Sequence, residues 1–286
     1  MSALSREEID RFWRDGFLVV ENSVTPAELA ALRHDFAGWV ADCTDHADSW
    51  GEIMDGRARF DVALDRSGTS ATLRRVNAPI EVSDAYFKVM RDSRVTACVA
   101  ALIGPNVKFH HSKINSKLPG SDTEVKWHQD FPFTPHSNDD VITALLMVDE
   151  VTDENGPLEV VPGSHRSAIE PLWHNGHFTG AASDQAAAAW QRQAVRCTGQ
   201  AGSVCLMHTR LAHGSAPNRS ARPRTLFIMV YAADDAVALT PNPVPNRHDG
   251  LLVSGTRSGQ IRSQSFDVAI PEFPAGASFF LQQLED

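Results

Sequence analysis

The chain has 286 residues, of which 42% are hydrophobic and 22% charged, and its formal net charge is -10. A chain of this length buries a substantial core as one domain, and its acidity argues against nucleic acid or an anionic membrane surface as the main partner, since either needs a clustered basic face. No apolar run reaches the roughly 18 residues that cross a bilayer, and the opening MSALSREEIDRFW has no signal-peptide core, so a cytoplasmic protein is expected, taken here as a monomer or homodimer.

Taken in chain order, Ser5 and Glu8 form a capping box, and Ile9, Phe12 and Trp13 make an apolar stripe that stops at Gly16. FLVV then predicts a short strand. A second capping box, Thr25 with Glu28, opens another helix with Pro26 in its first turn and Leu29, Leu32, Phe36, Trp39 and Val40 on its apolar side. Residues 44 to 75 are polar and weakly patterned over more than an ordinary connection, which predicts a partly ordered loop or an active-site cover. Helical signals between Ser83 and Leu102 follow. Then come β-rich runs, VKFHHSKINSKL, EVKWHQD, VITALLMV, LEVVPGSH, SVCLMH and TLFIMVY, each bounded by Gly, Pro, Asn or Asp.

That series predicts a mainly β domain, a sandwich or barrel of antiparallel strands with flanking helices. One domain over 1–286 is expected, with a helical N-terminal part to about 106, a β core over about 107–235, and a C-terminal lid and helix over about 236–286. The lid would contain the Pro-rich segment TPNPVPNRHDG. Cys43, Cys98, Cys197 and Cys205 show no CxxC or framework spacing, so neither a disulfide nor zinc is expected.

The chemistry is concentrated in two stretches, WHQD and LAHGSAPNRSARPRTLF. If VKWHQD is a strand, alternation puts His128 and Asp130 on one face and Gln129 on the other. Two imidazoles and a carboxylate on one side of a metal, with the other side open, is the arrangement of non-haem Fe(II) oxygenases, so a third ligand should come from a distant strand. His213 fits that place, and His208, five residues earlier, is its rival. Arg224, eleven residues after His213 at the start of an apolar strand, can grip a dicarboxylate in a bidentate fork. Arg222 is the alternative clamp, but it precedes Pro223 and belongs to the loop. His165, at the end of PGSH, reads as part of a turn. Trp127, Phe131 and Phe133 read as core or pocket-wall aromatics.

Together, INSK, WHQDF, NGPLEVVPGSH and HGSAPNRS with the following arginine resemble the phytanoyl-CoA dioxygenase-like family of Fe(II)/2-oxoglutarate-dependent oxygenases, which includes ectoine hydroxylase. FWRDGFLVV and TPAELAALR look like that family's opening. The resemblance implies a double-stranded β-helix (a cupin-like jelly roll), with His128, Asp130 and His213 as iron ligands and Arg224 on the C5 carboxylate of 2-oxoglutarate. It implies Asn115 and Ser215 as further co-substrate contacts; His111 stands where ectoine hydroxylase has a glutamine, on the face of Asn115 by alternation. The implied reaction consumes O2 and 2-oxoglutarate, hydroxylates an unactivated C–H of a small molecule and releases succinate and CO2. Asp130 argues against halogenation, since related halogenases have a small residue there. A desaturase, epimerase or cyclase would share every ligand. A non-catalytic binding module would have lost them.

Overall fold

Both capping boxes form. In α1 (Arg6–Asp15) the Ser5 hydroxyl accepts the Glu8 N–H at 3.2 Å while the Glu8 carboxylate accepts the Ser5 N–H at 2.7 Å, and in α2 (Pro26–Asp42) Thr25 and Glu28 repeat the exchange at 3.2 and 2.8 Å. Helix α1 ends at Gly16, where φ is 84°, and β1 (Phe17–Val20) begins at once. A Cβ on Gly16 would lie 2.4 Å from His165 Nδ1 and 2.6 Å from a Leu211 methyl. His165 Nε2 in turn stands 3.2 Å from the Trp13 carbonyl, so this histidine packs beneath the α1–β1 turn, as the turn reading of PGSH expects. Gly16→Ala combines positive-φ strain with that clash and is expected to cost about 1–3 kcal/mol. The urea midpoint should fall at unchanged slope, and an unchanged midpoint would mean that the turn yields freely.

The computed structural model describes residues 3–65, 67–68, 70–272 and 279–283, without the Leu281 side chain. After α2 come β2 (Trp50–Met54), β3 (Arg57–Leu64) and β4 (Ala71–Asn77), then α3 (Asp84–Asp92) and α4 (Arg94–Ile103). The strands that follow are β5 (Val107–Lys117), β6 (Val125–His128), β7 (Val141–Met147), β8 (Leu158–Val160), β9 (Trp173–His174) and β10 (His177–Phe178). Helix α5 (Asp184–Gln191) precedes β11 (Val195–Cys197), β12 (Val204–His208), β13 (His213–Ser215), β14 (Arg224–Ala233) and β15 (Leu252–Ser254), and α6 (Phe279–Gln282) lies at the end. None of these helices is long and apolar enough to cross a membrane.

The segment expected as a partly ordered loop or an active-site cover is not a loop but the antiparallel meander β2–β3–β4, which borders the cavity through Arg57 and Arg75, so the N-terminal part is not simply helical. The alternation was hidden because most buried positions there, Arg59, Asp61, Arg74, Arg75 and Asn77, are polar, with Leu73 and Val76 the apolar ones. Arg74 grips Asp61 through two hydrogen bonds of 2.9 and 3.1 Å, and Arg59 pairs with Glu81 at 2.9 Å, which makes their burial tolerable. Of the expected C-terminal helix, only α6 falls within the described residues.

The larger sheet runs β1-β12-β7-β14-β5-β4-β3-β2, with β15 paired to the start of β5, and the smaller runs β11-β8-β13-β6. All pairings are antiparallel, and the two sheets face each other as a jelly roll. Period-2 alternation on β14 decides what lies where. Phe227, Met229 and Tyr231 join the helices' Phe12, Leu32 and Tyr86 in the core on the outer face. Leu226 and Ile228 join Leu145, Leu158, Val160 and Met207 between the sheets. At about 25 cal/mol per Å² of apolar surface removed from water, these two layers are the main drive for folding. The inner face also carries the polar residues described next.

Candidate active site

Strands β6 and β13 are neighbours in the smaller sheet, with His128 directly opposite His213 and their ring centroids 4.1 Å apart. Strand β6 ends at His128. Asp130 reaches the same place from the residue just before a tight turn, Phe131–Phe133, whose Phe131 N–H donates to the Thr209 carbonyl at 2.8 Å. Gln129 points away, donating to the Arg210 carbonyl at 2.6 Å and accepting the Glu170 N–H at 2.8 Å. The expected shared face is therefore found, though a turn creates it rather than a continued strand.

Asp130 Oδ1 lies 3.6 Å from both His128 Nε2 and His213 Nε2. Two donors at right angles on an ion, each about 2.1 Å from it, stand roughly 3 Å apart, so a small contraction fits a divalent metal. The three are the described residues grouped closely enough to share an ion. The atoms behind them fit it too. His128 Nδ1 donates to the Lys126 carbonyl at 2.7 Å and His213 Nδ1 to the Leu211 carbonyl at 2.9 Å, which leaves both Nε2 lone pairs facing inward. Burial, then the neighbouring His128, pulls His213 down to about 4, so its imidazole is neutral and ready to ligate at neutral pH. Despite its burial, Asp130 is held well below the usual carboxylate range by His213, His128 and Lys113.

Thr143 on β7 donates its hydroxyl to Asp130 Oδ2 at 2.8 Å, fixing the carboxylate with Oδ1 toward the histidines. Losing such an orienting partner typically costs about 10–100-fold in metal affinity. Thr143→Val, which keeps the shape and removes the hydroxyl, should weaken Fe(II) binding by that factor in a competition titration against a chelating dye. Unchanged affinity would mean that the turn alone orients Asp130.

The cavity floor is the inward row of β5 and β14. His111, Lys113, Asn115 and Lys117 stand opposite Val230, Ile228, Leu226 and Arg224. One lobe, of about 660 Å³ including its mouth, is lined by His111, Lys113, Asp130, Phe133, Val244 and Arg57 among others. An adjoining lobe of about 510 Å³ runs from His213 and Asp130 past Asn115 and Ser215 to Arg224. Arg224 is 2% exposed, and its Nε donates to the Gly156 carbonyl at 3.0 Å. Gly156 has φ 78°, and a Cβ there would sit 2.6 Å from the Ala216 carbonyl oxygen, so glycine lets the two loops close around the arginine.

Lys117, opposite Arg224, donates to the Ser215 hydroxyl at 2.6 Å and to the Ser215 and Ala216 carbonyls. Burial pushes Lys117 well below its ordinary value, with help from Arg224, and burial pushes Arg224 down to about 10. Among the described residues neither cation bonds an acid. Two buried cations at one end of a cavity form a seat for an anion.

His111 and Asn115 share the inner face, as alternation on β5 required. Of the three aromatics, only Phe133 lines the cavity, edge-on to His128 at 5.7 Å. Phe131 is a core residue packed on Phe266 at 5.0 Å, and Trp127 lies outside, donating to Gln191 at 3.0 Å, because the strand turns them away from the metal cluster. His208 is buried against Trp13 and accepts the Arg210 N–H, apart from the cluster. Arg222 is exposed and paired with Glu150 at 3.0 Å. Sequence reasoning missed Lys113, Thr143, Arg57, Arg75 and Phe279. Alternation from His111 would have found Lys113; the others had no local signal.

Residues 12–226 match the family described as phytanoyl-CoA dioxygenase (PhyH). The chain belongs to that family. It is 34% identical over 209 residues to a probable alpha-ketoglutarate-dependent hypophosphite dioxygenase of Stutzerimonas stutzeri, which covers 71% of this chain and 72% of the relative. It is 28% identical over 257 residues to an ectoine dioxygenase of Nocardia farcinica, covering 84% and 81%. In fold it is similar to EctD from S. alaskensis with bound Fe, with TM-score 0.68 at 24% identity over 94% of this chain and 89% of that one. This family member is accordingly an iron- and 2-oxoglutarate-dependent dioxygenase with a jelly-roll core.

Proposed function

We propose that His128 Nε2, Asp130 Oδ1 and His213 Nε2 hold Fe(II), that 2-oxoglutarate occupies the Arg224 lobe, and that the reaction hydroxylates a C–H of a small polar substrate in the larger lobe. One observation carries the reading: a histidine–carboxylate–histidine cluster opens onto a cavity whose far end holds two buried cations without an acid. When bound, iron and 2-oxoglutarate supply the oxidising chemistry with O2, releasing succinate and CO2.

The chain's own residues bind, orient and exclude water. Arg224 seats the C5 carboxylate, with Ser215, held by Lys117, and Asn115 beside it. Leu145, Met207, Leu226 and Ile228 line the same lobe and keep it dry, which strengthens each charge contact inside. Thr143 and two backbone carbonyls fix the ligand atoms before any ion arrives. A small substrate accords with relatives named for hypophosphite, ectoine and L-proline.

The test is an aerobic screen of small carboxylates, amino-acid derivatives and phosphorus oxyanions with Fe(II) and 2-oxoglutarate, read by succinate release and product mass. Gain of one oxygen atom coupled to succinate supports hydroxylation. Loss of two hydrogens, or no mass change with inverted stereochemistry, would replace it with desaturation or epimerisation.

A further inference from the structure

The β2–β3–β4 meander brings two arginines to the larger lobe that the co-substrate reading does not use. Arg57, at the start of β3, lines that lobe and not the Arg224 lobe. Its Nη2 donates to the Pro243 carbonyl at 2.7 Å, which ties it to the Pro-rich segment, and it meets the exposed Asp55 at 3.3 Å. An ion pair with a solvated aspartate contributes little. Arg75 on β4 is 6% exposed and borders both lobes; its Nε donates to Asn115 Oδ1 at 2.9 Å. Its Nη2 is buried without a hydrogen-bond partner.

Among the described residues, the exposed Asp55 is the acid paired with Arg57, and Arg75 hydrogen-bonds Asn115 rather than an acid. Asp61, beside Arg57 and Arg75, is taken up by Arg74 through both oxygens. Asp130 is the acid lining the larger lobe, and it is committed to the histidines and Thr143. A buried guanidinium N–H without an acceptor is costly unless a ligand supplies one. The Arg224 end already has Arg224 and Lys117 for the co-substrate dianion. Lys113 borders both lobes and adds positive charge between them.

We propose that Arg57 and Arg75 form a second anion subsite, separate from Arg224, that grips an oxyanion group of the substrate, either a carboxylate or a phosphorus oxyanion. The inference rests on the functional reading above and names its substrate class. A guanidinium pair suits a planar carboxylate or a tetrahedral oxyanion, because each can accept from two N–H groups at once. The bond from Arg57 to Pro243 holds that guanidinium at the lobe and joins the subsite to the segment that walls it.

The experiment uses the full chain loaded with Fe(II) and 2-oxoglutarate without oxygen. It is titrated calorimetrically with phosphite, with L-proline, and with glycerol as an uncharged control. At least one anion should bind where glycerol does not, and the better one identifies the oxyanion source. Arg57→Gln should weaken that anion by at least about tenfold, and Arg57→Lys should restore part of it. Fe(II) and 2-oxoglutarate affinities should match wild type in both variants. Far-ultraviolet dichroism checks folding, and if Arg57→Gln does not fold, partial loss in Arg57→Lys decides. Three outcomes overturn the subsite: neither anion binds wild type, Arg57 variants bind as well as wild type, or the anion displaces 2-oxoglutarate. If 2-oxoglutarate itself fails to bind wild type, the functional reading fails instead.

Discussion

His213→Ala is expected to take iron-dependent 2-oxoglutarate turnover to background, while His208→Ala leaves it near wild type. Removing groups once removed from a metal already costs about 10–100-fold, so losing a direct ligand should cost at least about a hundredfold. Asp130→Ala should be similarly severe, because Oδ1 is 3.6 Å from both Nε2 atoms and, among the described residues, no other carboxylate lines the cavity. The assay begins with metal-stripped protein, since copper and zinc outcompete iron at such donor sets. Fe(II) should then restore turnover to wild type and His208→Ala, but not to His213→Ala or Asp130→Ala. Full turnover in His213→Ala with loss in His208→Ala would exchange the two histidines' roles, against their observed placement.

Arg224→Ala is expected to weaken 2-oxoglutarate binding by between about tenfold and a thousandfold. Losing one partner of a buried, hydrogen-bonded charge pair typically costs about 2–5 kcal/mol, and about 1.4 kcal/mol is a factor of ten. Arg224→Lys keeps a charge without the fork and should recover only part. Arg222→Ala is the control, because that side chain is exposed and pairs with Glu150. Fe(II) affinity without co-substrate should be nearly unchanged in all three. Equal 2-oxoglutarate affinity in Arg224→Ala and wild type would move the anion seat elsewhere, with Lys117 the nearest buried cation.

The jelly-roll core and the metal cluster were legible because their signals are local. Alternation on β5 and β14 sets His111, Asn115 and Arg224 inward, and the two short histidine motifs fall on neighbouring strands of the smaller sheet. The meander was not legible. Most of its buried positions are polar, Arg59, Asp61, Arg74, Arg75 and Asn77, and they find their partners only in three dimensions, so its hydropathy resembles that of a solvated loop. Thr143 lay equally hidden: a threonine in VITALLMV is an ordinary strand residue until the turn after His128 delivers Asp130 to it. Of the two readings offered for Trp127 and Phe131, the pocket-wall one does not hold and Phe131 takes the core one, for a related reason. Sequence adjacency to a ligand says little about direction when the chain changes from strand to turn between them.

The most direct measurement is the visible charge-transfer absorption that Fe(II) and 2-oxoglutarate give when chelated together, recorded without oxygen. Wild type should develop the band on sequential addition of Fe(II) and 2-oxoglutarate. The His128→Ala/His213→Ala double variant should give none, and Arg224→Ala should reach the same band only at much higher 2-oxoglutarate. The same band in wild type and the double variant at equal concentrations would contradict the account, because the metal would then lie away from the cluster that defines the site.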